Sequence, residues 1–389
     1  MKIRVGTFNN ENLFFRYKLL SAEPKPFKKT PVPINFETMV NQFRDIDNLL
    51  KKYDDPAKVF QDKKEFEKFL KKLPSDLWRS IMTFLKGGSF ISRLKGSLED
   101  IEPISHTQRT HTAEAIYENK PDFIGVQEIE SLEVLDEFYS KFIKKHFKLP
   151  YHMLIEGNDP RGIDVGLLDG DSYPVTNIKT HRYDPDPSEP NKHLFSRDCL
   201  EVDVALSNGE KLTVYINHLK SKIGGGEQKR LNQATGIRNM VNNRFGNDLK
   251  GGHFIILGDF NCDPKAPELA PLLGDKKLLN IFDNSDKGEK WSYLYVVLDK
   301  NDTNKVKSAE VSQFDYILLS PSIAQSNTNV KPIAERRGLV YYPEITEKLK
   351  KKDEDVANVY DNDGTRFPGI EKYGTEASDH CGVFVDLDL

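Results

Sequence analysis

The residues able to do chemistry lie in short polar clusters at the ends of apolar runs. Glu128, after Gln127, closes one such run; a carboxylate there is either a divalent-metal ligand or an ordinary salt-bridged group. In "GDFN", Gly258 permits close backbone approach, Asp259 can hold water or metal, and Asn261 can hydrogen-bond a phosphate oxygen; the same residues also suit a plain Asx turn. Ser378-Asp379-His380 precedes the last apolar run, where His380 could act as a general base if a carboxylate oriented it. Asp315, in "FDYILL", could be that carboxylate or could only cap a strand. Hydrolysis of a phosphodiester would use these types directly. A hard cation on oxygen ligands neutralises charge on the phosphoryl oxygens, and histidine titrates near neutrality.

Such clusters need a scaffold that gathers them. Ile3, Val5 and Thr7 alternate with polar or small residues and predict a strand over 2–8. From about Lys18 the character changes. Pro24, Pro26, Pro31 and Pro33 mark an extended stretch. Then "FETMVNQFRDIDNLLKKY", "AKVFQDKKEFEKFLKKL" and "DLWRSIMTFL" carry apolar residues at helical spacing, ended by Gly87-Gly88. This predicts a helical insertion over 20–105 within a single domain over 1–389, its lysines read first as a solvated face. Another helix is expected from Thr107 to Lys120, stopped by Pro121. Beyond it, "DFIGV", "DVGLL", "LTVYI", "FIIL", "FDYILL" and "GVFVDLDL" predict buried strands whose polar ends form one rim on a packed-sheet scaffold.

Composition narrows the classes. Lys+Arg of 56 against Asp+Glu of 60 gives a net charge of −4, which argues against blanketing nucleic acid with positive charge but allows a locally basic cleft. Cys199, Cys262 and Cys381 are too scattered for a disulfide framework or a CxxC-type zinc site. No apolar run approaches the roughly 18–20 residues needed to span a bilayer. No apolar signal core follows Lys2 and Arg4, so a cytoplasmic location is expected unless a leader precedes Met1.

Taken in order, "TFNNENLF", QE, RGIDV, NHLKSK, GDFN, DYILLS and SDH resemble the endonuclease/exonuclease/phosphatase superfamily. That superfamily joins DNase I-like nucleases, abasic-site endonucleases, sphingomyelinases and inositol polyphosphate 5-phosphatases. The likeness covers about 1–15 and 107–389 and is nearest the bacterial branch with RGIDV and NHLKSK. It implies a two-sheet α/β sandwich, four-layered and DNase I-like, interrupted after its first strand by the helical insertion. It also implies a site, residue by residue. Glu128 matches the metal-binding Glu, Asn9 the strand-1 Asn beside the metal, and Asp379 a residue near it; Glu11 sits where some members carry a second acidic ligand. Asp259 and Asn261 match the pair that positions water and contacts the scissile phosphate, His218 a phosphate-contacting His, and Asp315 with His380 the catalytic Asp-His pair. Members differ on which of the two, His380 or Asp259, takes the water's proton; here His380, oriented by Asp315, is expected to be the base or transition-state stabiliser, with Asp259 positioning the water. The oxygen-rich ligand set implies Mg²⁺ or Mn²⁺ rather than zinc.

Further positions are open between two readings. Arg161 could reach substrate phosphate with Asp164 orienting it, or the two could form a buried structural pair. Lys220, Lys222 and Arg230 flank Gly224-Gly225-Gly226 and could clasp a phosphate backbone, or belong to a surface loop. Arg197 has no evident role, and Trp78 and Trp291 fit packing better than base stacking. The expected function is a metal-dependent nuclease acting on DNA. The alternatives are a phosphatase or a sphingomyelinase-type phosphodiesterase; an apolar membrane-facing hairpin would favour the lipid reading, and the sequence signals no exposed aromatic hairpin. A nuclease subunit whose insertion docks a protein partner is a third.

Overall fold

The alternation at Ile3, Val5 and Thr7 does make a strand, but β1 runs over Lys2–Leu13, past the expected end at Phe8. Its extension through polar Asn9, Asn10 and Glu11 follows from β2 (Phe123–Ile129), which stays paired with it in parallel up to Leu13 opposite Ile129, after a register shift beyond Asn9. Backbone ladder bonds are indifferent to side-chain polarity, so an apolar pattern cannot mark that end. The computed structural model describes residues 1–13, 105–159, 162–222, 225–299, 305–362 and 366–389. The chain divides into two units, Met1–Phe14 with Ile104–Leu389 and Phe15–Pro103, and the described residues belong to the first. The insertion expected over 20–105, with Trp78, lies outside them except for Ser105.

After α1 (His106–Asn119) and β2 come α2 (Leu132–Phe138), β3 (Tyr151–Ile155), β4 (Asp164–Asp169) and β5 (Val175–Lys179). A small hairpin, β6 (Pro185–Asp186) and β7 (Glu189–His193), precedes β8 (Cys199–Ala205), β9 (Lys211–His218), α3 (Glu227–Phe245) and β10 (His253–Asp259). The rest of the unit holds β11 (Leu279–Asn280), β12 (Tyr293–Leu298), β13 (Val306–Ser312), β14 (Asp315–Leu319), β15 (Ile333–Glu335), α4 (Pro343–Lys350), α5 (Glu354–Asn362) and β16 (Gly382–Asp388).

Two six-stranded sheets result, ordered β15-β16-β1-β2-β4-β3 and β11-β14-β10-β9-β8-β5. Their inner faces share one core, with Val5, Phe123 and Leu167 from the first sheet against Val202, Val214, Ile255 and Ile317 from the second. α1 and α2 lie beside the first sheet. α3 covers the outer face of the second, packing Ile237 and Val241 against Tyr215, Phe254 and Ile256. Central strands are therefore buried on both faces, which is why they read as continuous apolar runs rather than alternating ones. This is the expected two-sheet α/β sandwich of DNase I-like type.

A third cluster packs Trp291, Leu294 and Val306 of the β12–β13 region against Ile345, Leu349 and Tyr360 of α4 and α5. Trp291 is core, its indole donating to the Gly288 carbonyl at 2.9 Å under the Arg336 guanidinium. The hairpin corrects one expectation: it does expose an aromatic, Tyr295, at 51%. "WSYLYVVL" reads as a buried run because its other face packs inward.

Candidate active site

The register of the second sheet builds half of the site. β10 lies between β9 and β14, so Asp259 sits across from His218 on one side and Asp315 on the other. This close approach requires Gly258 (φ 130°): a Cβ there would meet the Asn217 carbonyl oxygen at 1.9 Å. The Asp259 carboxylate is buried and collects donors. Asn9 Nδ2 and Asn261 Nδ2 each reach its Oδ2 at 3.0 Å, and the Asn261 amide reaches its Oδ1 at 2.7 Å. His218 Nε2 lies 3.4 Å from Asp259 Oδ2 and 3.8 Å from Glu128 Oε1.

His380 enters from the start of the last strand. Its Nδ1 donates to Asp315 Oδ2 at 2.8 Å, and its Nε2 faces Asp259 Oδ2 and Asp379 Oδ1, each at 3.9 Å. Asp259, Asp315 and His380 thus place ligand atoms within 4.8 Å of one another, as a metal cluster would. Here, however, the short Nδ1–Oδ2 bond spends one His380 nitrogen on Asp315, so the three read better as an oriented Asp–His pair beside Asp259 than as a chelate. Burial opposes charge on His380, but Asp315 and Asp259 outweigh it and raise its pKa well above the ordinary value. Burial, with Asp315, pushes the Asp259 carboxyl up to about 7, tempered by His380.

The first sheet supplies the other carboxylates. Glu11 (φ 47°) and Glu128 (φ 62°) both have left-handed backbone, and both fall where strand register shifts, β1 against β2 and β2 against β4. Two bulges at one rim therefore turn two carboxylates out of the strand alternation, at a backbone cost of order 1 kcal/mol each. Glu11 Oε2 accepts the Asp379 amide at 3.1 Å. Burial, and then Asp379, Glu376 and Glu128, raise the Glu11 carboxyl well above its usual range. Asp379 is pushed up to about 6, chiefly by burial. Since 31% of its side chain is exposed, water offsets part of that push. Crowded oxygen ligands that repel one another fit a divalent cation as the missing counter-charge.

Several positioning residues were given no role from the sequence. Ser292 Oγ accepts the amides of Phe314 and Asp315 at 3.2 and 2.9 Å, fixing the start of β14. Ser378 Oγ donates to the Asn9 carbonyl at 2.8 Å and accepts the His380 amide at 3.1 Å, tying β1 to the His380 turn. Tyr293 packs on His380 with centroids 4.7 Å apart. Arg197, given no role from sequence, is buried, 3.1 Å from Asp159, and bonds the Leu219 carbonyl directly after His218. Serines and arginines in polar stretches look alike in sequence; only the neighbouring fold distinguishes them.

The basic loop needs correction. Arg230, expected to touch substrate, is 1% exposed. Its guanidinium bonds the Lys220 and Ser221 carbonyls at 3.1 Å and Glu268 at 2.9 Å, so it braces the loop from below. Lys222 stays at the rim, over the Phe314 ring and 2.9 Å from Asp263; Lys220 is half-buried, its amide donating to Gln233. Arg161 lies outside the described residues. Asp164 is buried and accepts the Gly157 amide at 2.7 Å.

A family model for the endonuclease/exonuclease/phosphatase family matches residues 101–389. The chain belongs to that family. Its members are phosphoester hydrolases, typically dependent on a divalent metal, and membership implies phosphoester hydrolase activity for this chain. No curated protein sequence matches it. Among solved structures it is similar to truncated TDP2 of Caenorhabditis elegans (14% identity, 73% of this chain and 91% of that chain, TM-score 0.48). It is also similar to the human Nocturnin catalytic domain with bound sulfate (14%, 74% and 88%, 0.46). A third likeness is to a family protein from Bacteroides thetaiotaomicron (17%, 72% and 87%, 0.45). Among the described residues, no helix is long and apolar enough to cross a membrane.

Proposed function

We propose that this protein is a divalent-metal-dependent phosphodiesterase that hydrolyses nucleic acid, with DNA as the first substrate to test. The observation that carries the reading is the convergence on Asp259 of Asn9, Asn261, His218 and the His380–Asp315 pair, with Glu11, Glu128 and Asp379 alongside. Glu128, Glu11, Asp379 and Asn9 would hold the ion, and their oxygen character favours Mg²⁺ or Mn²⁺. Bound there, it would neutralise charge on the phosphoryl oxygens and stabilise the leaving oxygen. Asp259, fixed by amide donors, positions the attacking water and takes its proton; a carboxyl pushed up to about 7 is suited to that task near neutrality. His380, kept cationic by Asp315, donates through Nε2 to a non-bridging oxygen as charge develops, assisted by His218 and Asn261.

The nucleic-acid part rests on the RGIDV and NHLKSK motifs, with Arg161, Lys220 and Lys222 meeting the phosphate backbone. A net charge of −4 makes that contact weak, salt-sensitive and sequence-independent. One observation favours a second reading, a lipid phosphodiesterase: exposed Tyr295 lies on the same hairpin as Tyr293, which packs on His380. A cleavage panel separates the two. Supercoiled plasmid, linear duplex, single-stranded DNA, RNA and sphingomyelin are incubated with protein and Mg²⁺, Mn²⁺ or EDTA, beside Glu128→Gln. Metal-dependent cleavage of DNA that falls by about 10²-fold or more in the variant is expected. Turnover of sphingomyelin alone would replace the nuclease reading with the lipid one.

A further inference from the structure

β4 has the active site at one end, where Asp164 pairs with Ile129, and a second recess at the other, where Asp169 pairs with Phe123. The recess is a groove of about 820 Å³. It is lined by β3 and β5, the edge strands of the two sheets. Tyr151, Met153, Val175 and Ile178 form apolar walls, and Glu133 and Asp136 lie on the lining with them. Tyr151 and Ile178 are largely exposed.

Asp169 also lines this groove, and its state is unusual. It is 1% exposed, and neither carboxylate oxygen has a hydrogen-bond partner. The adjacent Gly170 amide is committed to the Asp122 carbonyl at 2.9 Å, so it only tempers the effect. Burial, with the like charges of Asp122 and Asp171, pushes the Asp169 carboxyl up to about 7. The histidine on the lining, His152, is 3.3 Å from Asp136. A buried carboxylate that has no donor, sits on the lining of a groove and lies near like charge calls for a cationic donor.

We propose that this groove binds a small organic ammonium, its protonated amine on Asp169 and its apolar chain or ring against Tyr151, Met153 and Ile178. A bare divalent cation fits less well, because it takes six or more oxygens and the walls here are apolar. The volume lies within the range of small-molecule sites.

Calorimetric titration at pH 8 tests this with 2-phenylethylammonium and its neutral counterpart 2-phenylethanol, on wild type, Asp169→Asn and Ile178→Lys. The second variant sets a cation on the exposed wall and guards against misfolding of the first. The ammonium is expected to bind wild type with Kd of about 1 mM or tighter, at least about tenfold better than the alcohol, and to lose at least about tenfold in each variant. Equal binding of the two probes, undiminished binding in Asp169→Asn, or no ammonium binding up to about 10 mM would each overturn the proposal. Cleavage activity, whatever its substrate, should be unchanged in Asp169→Asn.

Discussion

Carboxylates raise the pKa of His380 well above its ordinary value against the effect of burial, and Asp315 contributes most of that rise. Asp315→Asn keeps the shape of the side chain but removes its charge. The pKa of His380 then falls toward its ordinary value, so its cationic form is lost at lower pH. The expected result is a kcat lowered by about 10²–10⁴, with KM little changed and the alkaline limb of the pH–rate profile moved to lower pH. Thermal melting of the same variant controls for folding. A profile identical to wild type would reduce Asp315 to a strand-start cap. Residue by residue, most of this site was legible in the sequence, because a carboxylate or histidine that ends an apolar run is conspicuous. Arg230 and Arg197 were not. Each is an arginine in a polar stretch; the fold makes the first a brace under the loop and the second a support behind His218.

At the scale of elements, motif order and apolar runs reveal the strands, but not how their ends are shaped. The bulges that turn Glu11 and Glu128 leave no mark in sequence, since the backbone conformation they adopt is imposed by pairing with β2 and β4. The β12–β13 hairpin was hidden for the opposite reason: one apolar face masked the exposed Tyr295 on the other. Gly258 is where a single residue governs an element. Gly258→Ala would drive a methyl group into the Asn217 carbonyl at a φ of 130°, forcing β9 and β10 apart. A loss of at least about 3 kcal/mol in denaturant unfolding is expected, with loss of activity because Asp259 and His218 separate. An unchanged unfolding midpoint would show that the strands can shift to accept it.

At the scale of the whole molecule, two buried carboxyls tie stability to pH. Asp164 and Asp169 are both pushed up to about 7, chiefly by burial. An acid whose folded pKa lies above its unfolded value of roughly 4 binds more protons when folded. Stability is therefore drained as pH rises from about 4 and is fully lost from this source above about 7. For Asp169 the pH-dependent part is at most ~4 kcal/mol. The stability of Asp169→Asn relative to wild type should consequently improve between pH 5 and pH 8, as read by melting temperature across that range. A difference that stays constant with pH would mean that Asp169 titrates normally.

The placement of β1 has a consequence for synthesis. Among the described strands β1 is made first, yet its two neighbours are β2, more than a hundred residues later, and β16, the last of those strands. Asn9 meets Asp259 from the second sheet, and Ser378 closes on the Asn9 carbonyl. On a translating ribosome β1 can pair with β2 only after the intervening segment is made, and with β16 only after every other described strand. A polypeptide halted before His380 and β16 has neither the His380–Asp315 pair nor a completed first sheet, so the site can assemble only once both have been made.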